Sequence, residues 1–365
     1  MKNTFGNSIT VTLFGESHGE YVGAVLDGLA PGIKIDEEYI NHKLSLRRPA
    51  GKISTARVEA DEYSIVSGVF NGYTTGTPLC ILIKNSNTRS SDYGEKMDIP
   101  RPSHADFTAR EKYHGFEDHR GGGHFSGRVT APIVAAGAIL GSALESRGIK
   151  IGSHITELHG AFDRPFEDYE SDVSYVNLKH FPVLTDHAEE SMIKEIEKAA
   201  AMGDSVGGIL ESAIIGLPTG VGEPWFDSME SMLSHALFSI PGVKGVEFGL
   251  GFAFADVYGS EGNDPFAVSD GRVVTESNNN GGINGGITNG MPVTFRTAIK
   301  PTPSISKAQE SVSLSDMSSA ALKISGRHDP AIIHRARAVV DAMAAIVVAD
   351  MLTVRYGTDY LATKD

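Results

Sequence analysis

The chain has 365 residues, enough to bury a large core, and its 41% hydrophobic and 21% charged residues are those of a globular protein, not a disordered one. A formal net charge of −14 argues against non-specific binding of nucleic acid. The single cysteine, Cys80, excludes an internal disulfide and a thiol-rich metal site, and within PLCILI it reads as a core residue.

The N-terminal MKNTFGNSIT lacks the apolar run of a signal peptide. The most apolar segments, 131–140 and 342–352, fall short of the ~20 residues that cross a bilayer. A cytoplasmic protein without a membrane partner is therefore expected. Ile9, Val11 and Leu13 alternate with Ser8, Thr10 and Thr12, which predicts a half-buried strand. It runs into Gly15-Glu16-Ser17-His18-Gly19, where His18 is either a catalytic group at a strand end or a solvated turn residue. Residues 21–26 read as the return strand. Asp36 caps a helix over 37–48, stopped by Pro49. Arg47 and Arg48 in its last turn suit the helix dipole, yet adjacent arginines diverge and one could reach a site. Lys52 and Arg57 extend the positive tract. Eight of the 16 arginines lie between Arg47 and Arg128. A local basic pocket in an acidic protein suits a small anionic substrate. Residues 64–70 and 78–83 read as strands, and 85–102 as a surface loop or lid.

Residues 101–130, RPSHADFTAREKYHGFEDHRGGGHFSGRVT, hold four of the 13 histidines, four arginines and a triple glycine. No folding argument asks for that mixture; an anion site does. Ser103 and Asp106 have capping-box spacing, which would place His104 in a first helical turn. Gly121, Gly122 and Gly123 allow positive φ and close approach of backbone to ligand. Ser126 and Arg128 can then donate hydrogen bonds. The alternative is a glycine-rich turn between helices with solvated histidines. Residues 131–147 read as a central, buried helix.

Asp186 is placed to cap a helix with Ile193, Ile196 and Ala200 on one face and Gly203 at its end. A strand over 209–215 and a helix over 227–238 follow. Pro241-Gly242 then leads into a strand reaching about residue 254. The second glycine-rich loop, SNNNGGINGGITNG over 277–290, matches neither a Walker A loop nor a dinucleotide fingerprint. A strand over 291–299 ends at Lys300-Pro301-Thr302-Pro303-Ser304, a rigid phosphate contact or a plain Pro-rich loop. Asp329 and Pro330 suit N-cap and N1 of a last helix whose Ile332, Ala336, Val339, Met343, Ile346 and Val347 face the core. The tail beyond Arg355 is expected to be exposed. The pattern suggests one domain over 1–365, with two similar halves meeting near 150–200.

GESHG at 15–19, RPSHAD at 101–106, HRGGGHFSGR at 119–128, KPTPS at 300–304 and GRHDP at 326–330 occur in this order. Together they resemble chorismate synthase along essentially the whole chain. The resemblance implies an α+β fold, a helical core layer sandwiched between two antiparallel β-sheets, in a homotetramer. It implies a lyase of the shikimate pathway. The reaction converts 5-enolpyruvylshikimate 3-phosphate to chorismate and phosphate by 1,4-anti elimination with reduced FMN. His18 then resembles the histidine near flavin N1, His104 the histidine beside the leaving phosphate, and Asp329 the aspartate near flavin N5. FMN contacts would come from His124, Phe125, Ser126, Pro241, Gly242, Gly285, Lys300, Pro301, Thr302, Pro303, Ser304 and Arg327. Arg47, Arg48, Lys52, Arg101 and Arg128 would line the substrate or NADP site. NADPH would act only as a source of reductant, through an external flavin reductase. Many relatives have Arg-Ser at His124-Phe125, arginine at Lys52 and Asn-Ala at Pro241-Gly242. No metal is implied. The alternatives are a metal-dependent hydrolase using His18, His104, His119 and His124, whose spacing fits no standard zinc pattern, and a non-catalytic anion-binding protein.

Overall fold

The N-terminal alternation builds strands β1 (Thr4–Phe5), β2 (Thr10–Gly15) and β3 (Tyr21–Asp27), with helix α1 (Glu37–Arg47) after them. The computed structural model describes residues 2–49, 53, 60–85, 98–324 and 329–363. Lys52, Arg57 and Arg327 lie outside these residues. The Asp36 side chain caps α1 by accepting from the Tyr39 N–H at 2.9 Å, as its sequence predicts. Strand β4 (Tyr63–Ser67), a small hairpin of β5 (Val69–Phe70) and β6 (Tyr73–Thr74), and β7 (Leu79–Lys84) follow. The first sheet is antiparallel, in the order β1-β2-β3-β7-β4. Val22, Ala24 and Leu26 on β3 and Leu79, Ile81 and Ile83 on β7 are buried at period two, so one face meets the core. Cys80 points the other way and is only half-buried; its burial still pushes the thiol up, away from the nucleophilic thiolate.

Helices α2 (Asp106–Tyr113) and α3 (Thr130–Glu145) precede β8 (Lys150–Leu158), β9 (Ala161–Phe162), α4 (Tyr169–Val176), α5 (Asp186–Ala201), β10 (Gly208–Ile215), α6 (Met229–Phe238) and β11 (Val243–Phe248). Thr185, not Asp186, caps α5, and Ser228 caps α6. After the short α7 (Gly259–Gly262) come hairpins β12–β13 (Phe266–Ser269, Arg272–Thr275) and β14–β15 (Ile283–Asn284, Ile287–Thr288). Then follow β16 (Val293–Ile299), hairpin β17–β18 (Gln309–Ser313, Ser318–Leu322) and α8 (Ile333–Tyr356). The second sheet, also antiparallel, has the order β11-β16-β10-β8-β9.

Helix α3 lies on β2, β3 and β7 of the first sheet, and α8 on β8 and β10 of the second. The two helices pack on each other with α1 beside them, giving the helical layer between sheets that the resemblance implies. Their crossing is close. A Cβ on Gly137 would lie 2.5 Å from the Ala342 Cα, so this contact requires glycine. Residues Gly127–Glu145 are long and apolar enough to cross a membrane by length and composition, more than the sequence reading allowed. They are the core helix, 83% buried inside the protein.

The layer also holds charge. Arg337 on α8 is fully buried; it donates to Asp341 Oδ2 (3.2 Å), Asn177 Oδ1 (3.2 Å), Val176 O (2.9 Å) and Lys179 O (2.6 Å). Ser153 Oγ donates to the other Asp341 oxygen at 2.5 Å, and Lys43 from α1 reaches Asn177 Oδ1 at 3.2 Å. Asp350, buried on α8, accepts from the backbone N–H groups of Asn7, Ser8 and Ile9 at 2.7–2.8 Å and ties the first strands to the layer. The tail beyond Arg355 is largely exposed, as expected, but it is anchored at Leu361. Tyr356 stacks on Tyr360 (4.8 Å between centroids), and Leu361 is buried.

Candidate active site

A cavity of about 680 Å³ opens at the end of the helical layer, a size suited to organic ligands. Widely separated residues meet in it: His18, Arg47, His104, Phe125, Ser126, Arg128, Pro241, Gly242, Lys300 to Ser304, and Asp329 all line its walls. Arg48, Arg101, His124 and Gly285 do not. Among the described residues, no group of three or more His, Cys, Asp or Glu is placed to hold a metal.

His104 reaches the cavity by a different route from the one its spacing suggests. Ser103 has φ +60° and caps nothing; α2 begins at Asp106, so His104 precedes the helix. The Asp106 carboxylate instead folds back into the turn. It accepts from Arg101 N (2.9 Å), Arg101 Nε (2.8 Å), Arg101 Nη2 (2.8 Å) and His104 Nδ1 (2.6 Å). Burial alone would raise the Asp106 carboxyl, but the bonds from Arg101 and His104 outweigh it and hold the group well below the usual carboxylate range. A carboxylate at 2.6 Å requires Nδ1–H, which leaves Nε2 as the working nitrogen of His104. Arg101 Nη2, 3.1 Å from the same Nδ1, belongs to this brace behind the histidine.

His18 stands on the turn after β2. The Ser17 hydroxyl spends its only proton on Arg120 O (3.1 Å), so the 3.2 Å contact between Ser17 Oγ and His18 Nδ1 is a bond donated by the ring. The triple glycine runs between the two imidazoles, with φ of +60°, +89° and +52°. A Cβ on Gly121 would fall 2.2 Å from His18 Cε1, and one on Gly122 would be 3.4 Å from His104 Cε1. Glycine at 121 lets the His18 ring close in, while at 122 the space would admit a Cβ and it is the positive φ that favours glycine. His124 turns away; its Nδ1 bonds Gly15 O at 2.8 Å and ties this loop to the end of β2.

The cationic wall has its own counter-ion. Asp61, buried with φ +50°, bridges Arg47 Nη2 (3.1 and 3.0 Å to its two oxygens) and Arg128 Nη1. Arg128 also donates from Nε to Asn85 Oδ1 (2.9 Å) and from Nη2 to Lys84 O (3.1 Å). Nothing in the sequence marked Asp61 or Asn85, because both act only through partners far along the chain.

Asp329 is not a helix cap. Helix α8 starts at Ile333, and Asp329 Oδ2 instead pairs with Arg335 Nη1 at 2.8 Å. Arg335 lines the cavity, donates to Arg47 O (2.7 Å) and escaped the sequence reading. On the facing wall Lys300 donates to Ser103 O at 2.5 Å; burial, then Lys244 nearby, lowers its ammonium below the usual lysine value. Among the described residues Thr302 Oγ1, buried there, has no hydrogen-bond partner, an orphaned polar atom that a ligand would satisfy. Gly285 lies in the β14–β15 turn beside Gly286, where a Cβ would meet Glu223 O and Ser228, away from this cavity.

The family profile described as chorismate synthase matches residues 9–353. The chain is 48% identical to the chorismate synthase of Thermococcus gammatolerans, over 95% of this chain and 96% of that one. It is also 48% identical to that of Pyrococcus abyssi, over 96% and 97% of the two chains. A solved crystal structure of chorismate synthase superposes with a TM-score of 0.77 at 29% identity, covering 98% of this chain and 95% of the other. With the profile spanning nearly the whole sequence and the fold matching end to end, the chain belongs to the chorismate synthase family.

Proposed function

We propose that the cavity binds 5-enolpyruvylshikimate 3-phosphate beside reduced FMN and forms chorismate by 1,4-anti elimination of phosphate. The observation that carries this reading is the meeting of His18 and His104 across the triple glycine, in one cavity with Arg47, Arg128 and Lys300. The substrate brings a phosphate and two carboxylates, and fixed guanidiniums and an ammonium are the groups that hold such anions. The wall from Phe125 and Ser126 through Pro241-Gly242 to Lys300–Ser304 fits a flavin and its phosphate, and the orphaned Thr302 hydroxyl supports that fit. Reduced FMN would supply the electron density that helps break the C–O bond to phosphate when the C–H bond is unactivated, which no side chain here offers.

The protein's own groups do the rest. In its protonated form His104 donates from Nε2 to the departing phosphate, with Asp106 holding Nδ1. His18, anchored through Ser17, holds a proton on the flavin side. Asp329, oriented by Arg335, helps take up the proton leaving carbon. Phosphate and one proton leave, one double bond forms, and there is no net redox change. Because the flavin must arrive reduced, an external reductase drawing on NADPH is the natural partner. A homotetramer in the cytoplasm completes the reading.

The test is anaerobic phosphate release with dithionite-reduced FMN. Wild-type protein should turn over, and His18→Ala and His104→Ala should each lose roughly 10²- to 10⁴-fold in kcat with the fold intact. No phosphate release from wild type would overturn the assignment, and near-native rates in both variants would move the chemistry elsewhere. Steady turnover in air with FMN and NADPH alone would remove the need for a separate reductase. Sedimentation would decide the tetramer.

A further inference from the structure

We propose that Asn85 is a positioning residue that locks the His18 turn to the anion-binding Arg128; this rests on the function proposed above. Asn85 follows β7 directly, and its backbone N–H extends the ladder to β3 by donating to Glu20 O at 3.0 Å. Its side chain then makes three bonds. Oδ1 accepts from Arg128 Nε at 2.9 Å, while Nδ2 donates to Glu16 O at 3.0 Å and Gly19 O at 2.9 Å. The partners fix the amide's orientation, because a guanidinium N–H only donates and carbonyls only accept.

The two carbonyls belong to one turn, closed by Gly19 N–H donating to Glu16 O at 3.0 Å, and that turn carries Ser17 and His18. At the other end, Asp61 and Lys84 O hold the same Arg128. A single amide therefore joins the cationic wall to the histidine loop, and Asn85 itself lines the cavity. Among side chains of this length only an amide carries one acceptor and two donors. Aspartate keeps the arginine contact but turns an oxygen toward two carbonyl oxygens. Glutamine is one methylene too long. Alanine loses all three bonds.

Two variants and two readings test the proposal. In Asn85→Ala, kcat should fall at least 100-fold with KM for the phosphorylated substrate changed less than fivefold, since Asp61 and Lys84 O still hold Arg128. In Asn85→Asp both should worsen, because the new carboxylate adds negative charge beside the anion site. In both variants, with the full chain and no ligand, amide hydrogen exchange over residues 16–20 should accelerate at least tenfold while α3 and α8 keep wild-type protection. Exchange does not depend on turnover, so it still decides the structural claim if wild type proves inactive and the proposed function fails. Wild-type exchange over 16–20 in the variants, or kcat within threefold of wild type, overturns the positioning role. Should Asn85→Asp not fold, Asn85→Ala carries the same two readings.

Discussion

Two buried arginine–aspartate clusters sit in the helical layer, and they differ in what their charge faces. Around Arg337, the guanidinium donates to Asp341, Asn177 and the carbonyls of Val176 and Lys179, closing the end of α4 onto α8. Burial lowers the Arg337 guanidinium's affinity for its proton and Asp341 counters it, so this is a cation held by the protein for the protein. Around Asp61, Arg47 and Arg128 share one carboxylate on the wall of the cavity. The lesson is that a buried ion pair identifies neither stability nor function. What decides is whether two cations share one anion beside open space, or one cation is held by a carboxylate, an amide and two carbonyls in a closed layer.

The same conservative change in the two clusters should separate them most sharply. Arg337→Lys cannot reach all four acceptors, and the buried groups left behind should cost about 3–5 kcal/mol in urea unfolding, with KM of the remaining folded enzyme within threefold of wild type. An unfolding midpoint equal to wild type would show that the closed cluster is not structural. Arg47→Lys keeps its charge but loses the planar fork. Losing about 1.5–3 kcal/mol of charge-assisted bonding should raise KM for the phosphorylated substrate roughly 10- to 100-fold, with less than half the stability loss of Arg337→Lys. An unchanged KM there would remove Arg47 from the substrate wall.

A pH measurement tests the closed side further. Burial, then Arg335 and His180, lowers the His334 imidazole from 6.5 to about 3. Between those values the unfolded chain binds a proton that the folded chain refuses, so stability rises with pH across this window and is lost as pH falls below 6.5. The contribution is roughly 1.4 kcal/mol per pH unit, so about 2 kcal/mol between pH 6.5 and pH 5. Urea midpoints of wild type and His334→Asn should diverge by that slope; parallel curves would mean that His334 does not stay neutral. The smallest expected effect is Ser153→Ala, about 1.5 kcal/mol, the low end for a bond to a charged group, from loss of the hydroxyl bond to Asp341 Oδ1. It should leave turnover untouched.

Much of this organisation was legible in the residues. Alternation of Ile9, Val11 and Leu13 with polar residues marks β2 because side-chain direction has period two. The small residues of α3 and the broad apolar face of α8 mark the core layer because only close-packed helices bury such surfaces. The motifs around His18, His104, the triple glycine, Lys300 and Asp329 identified the walls of the cavity. Local reading failed where a side chain was assigned to its own helix. Asp106 and Asp329 have the spacing of caps, yet both turn to arginines, because a charge-assisted bond to a guanidinium outcompetes one backbone N–H.

The sequence left β8, β9, α4 and the hairpins β12–β13 and β17–β18 unread, and the sandwich came from the family likeness; what the sequence determined by itself is most of the remaining elements and the chemistry of the segments that carry that likeness. Those follow from local periodicity and short spacings. What only the tertiary structure decided is partnership. Asp61 between Arg47 and Arg128, Asn85 between Arg128 and the His18 turn, and Arg335 on Asp329 and the Arg47 carbonyl all join segments from different elements. No spacing along the chain encodes such meetings, since they exist only after the two sheets have closed over the helices and brought distant side chains within hydrogen-bond reach.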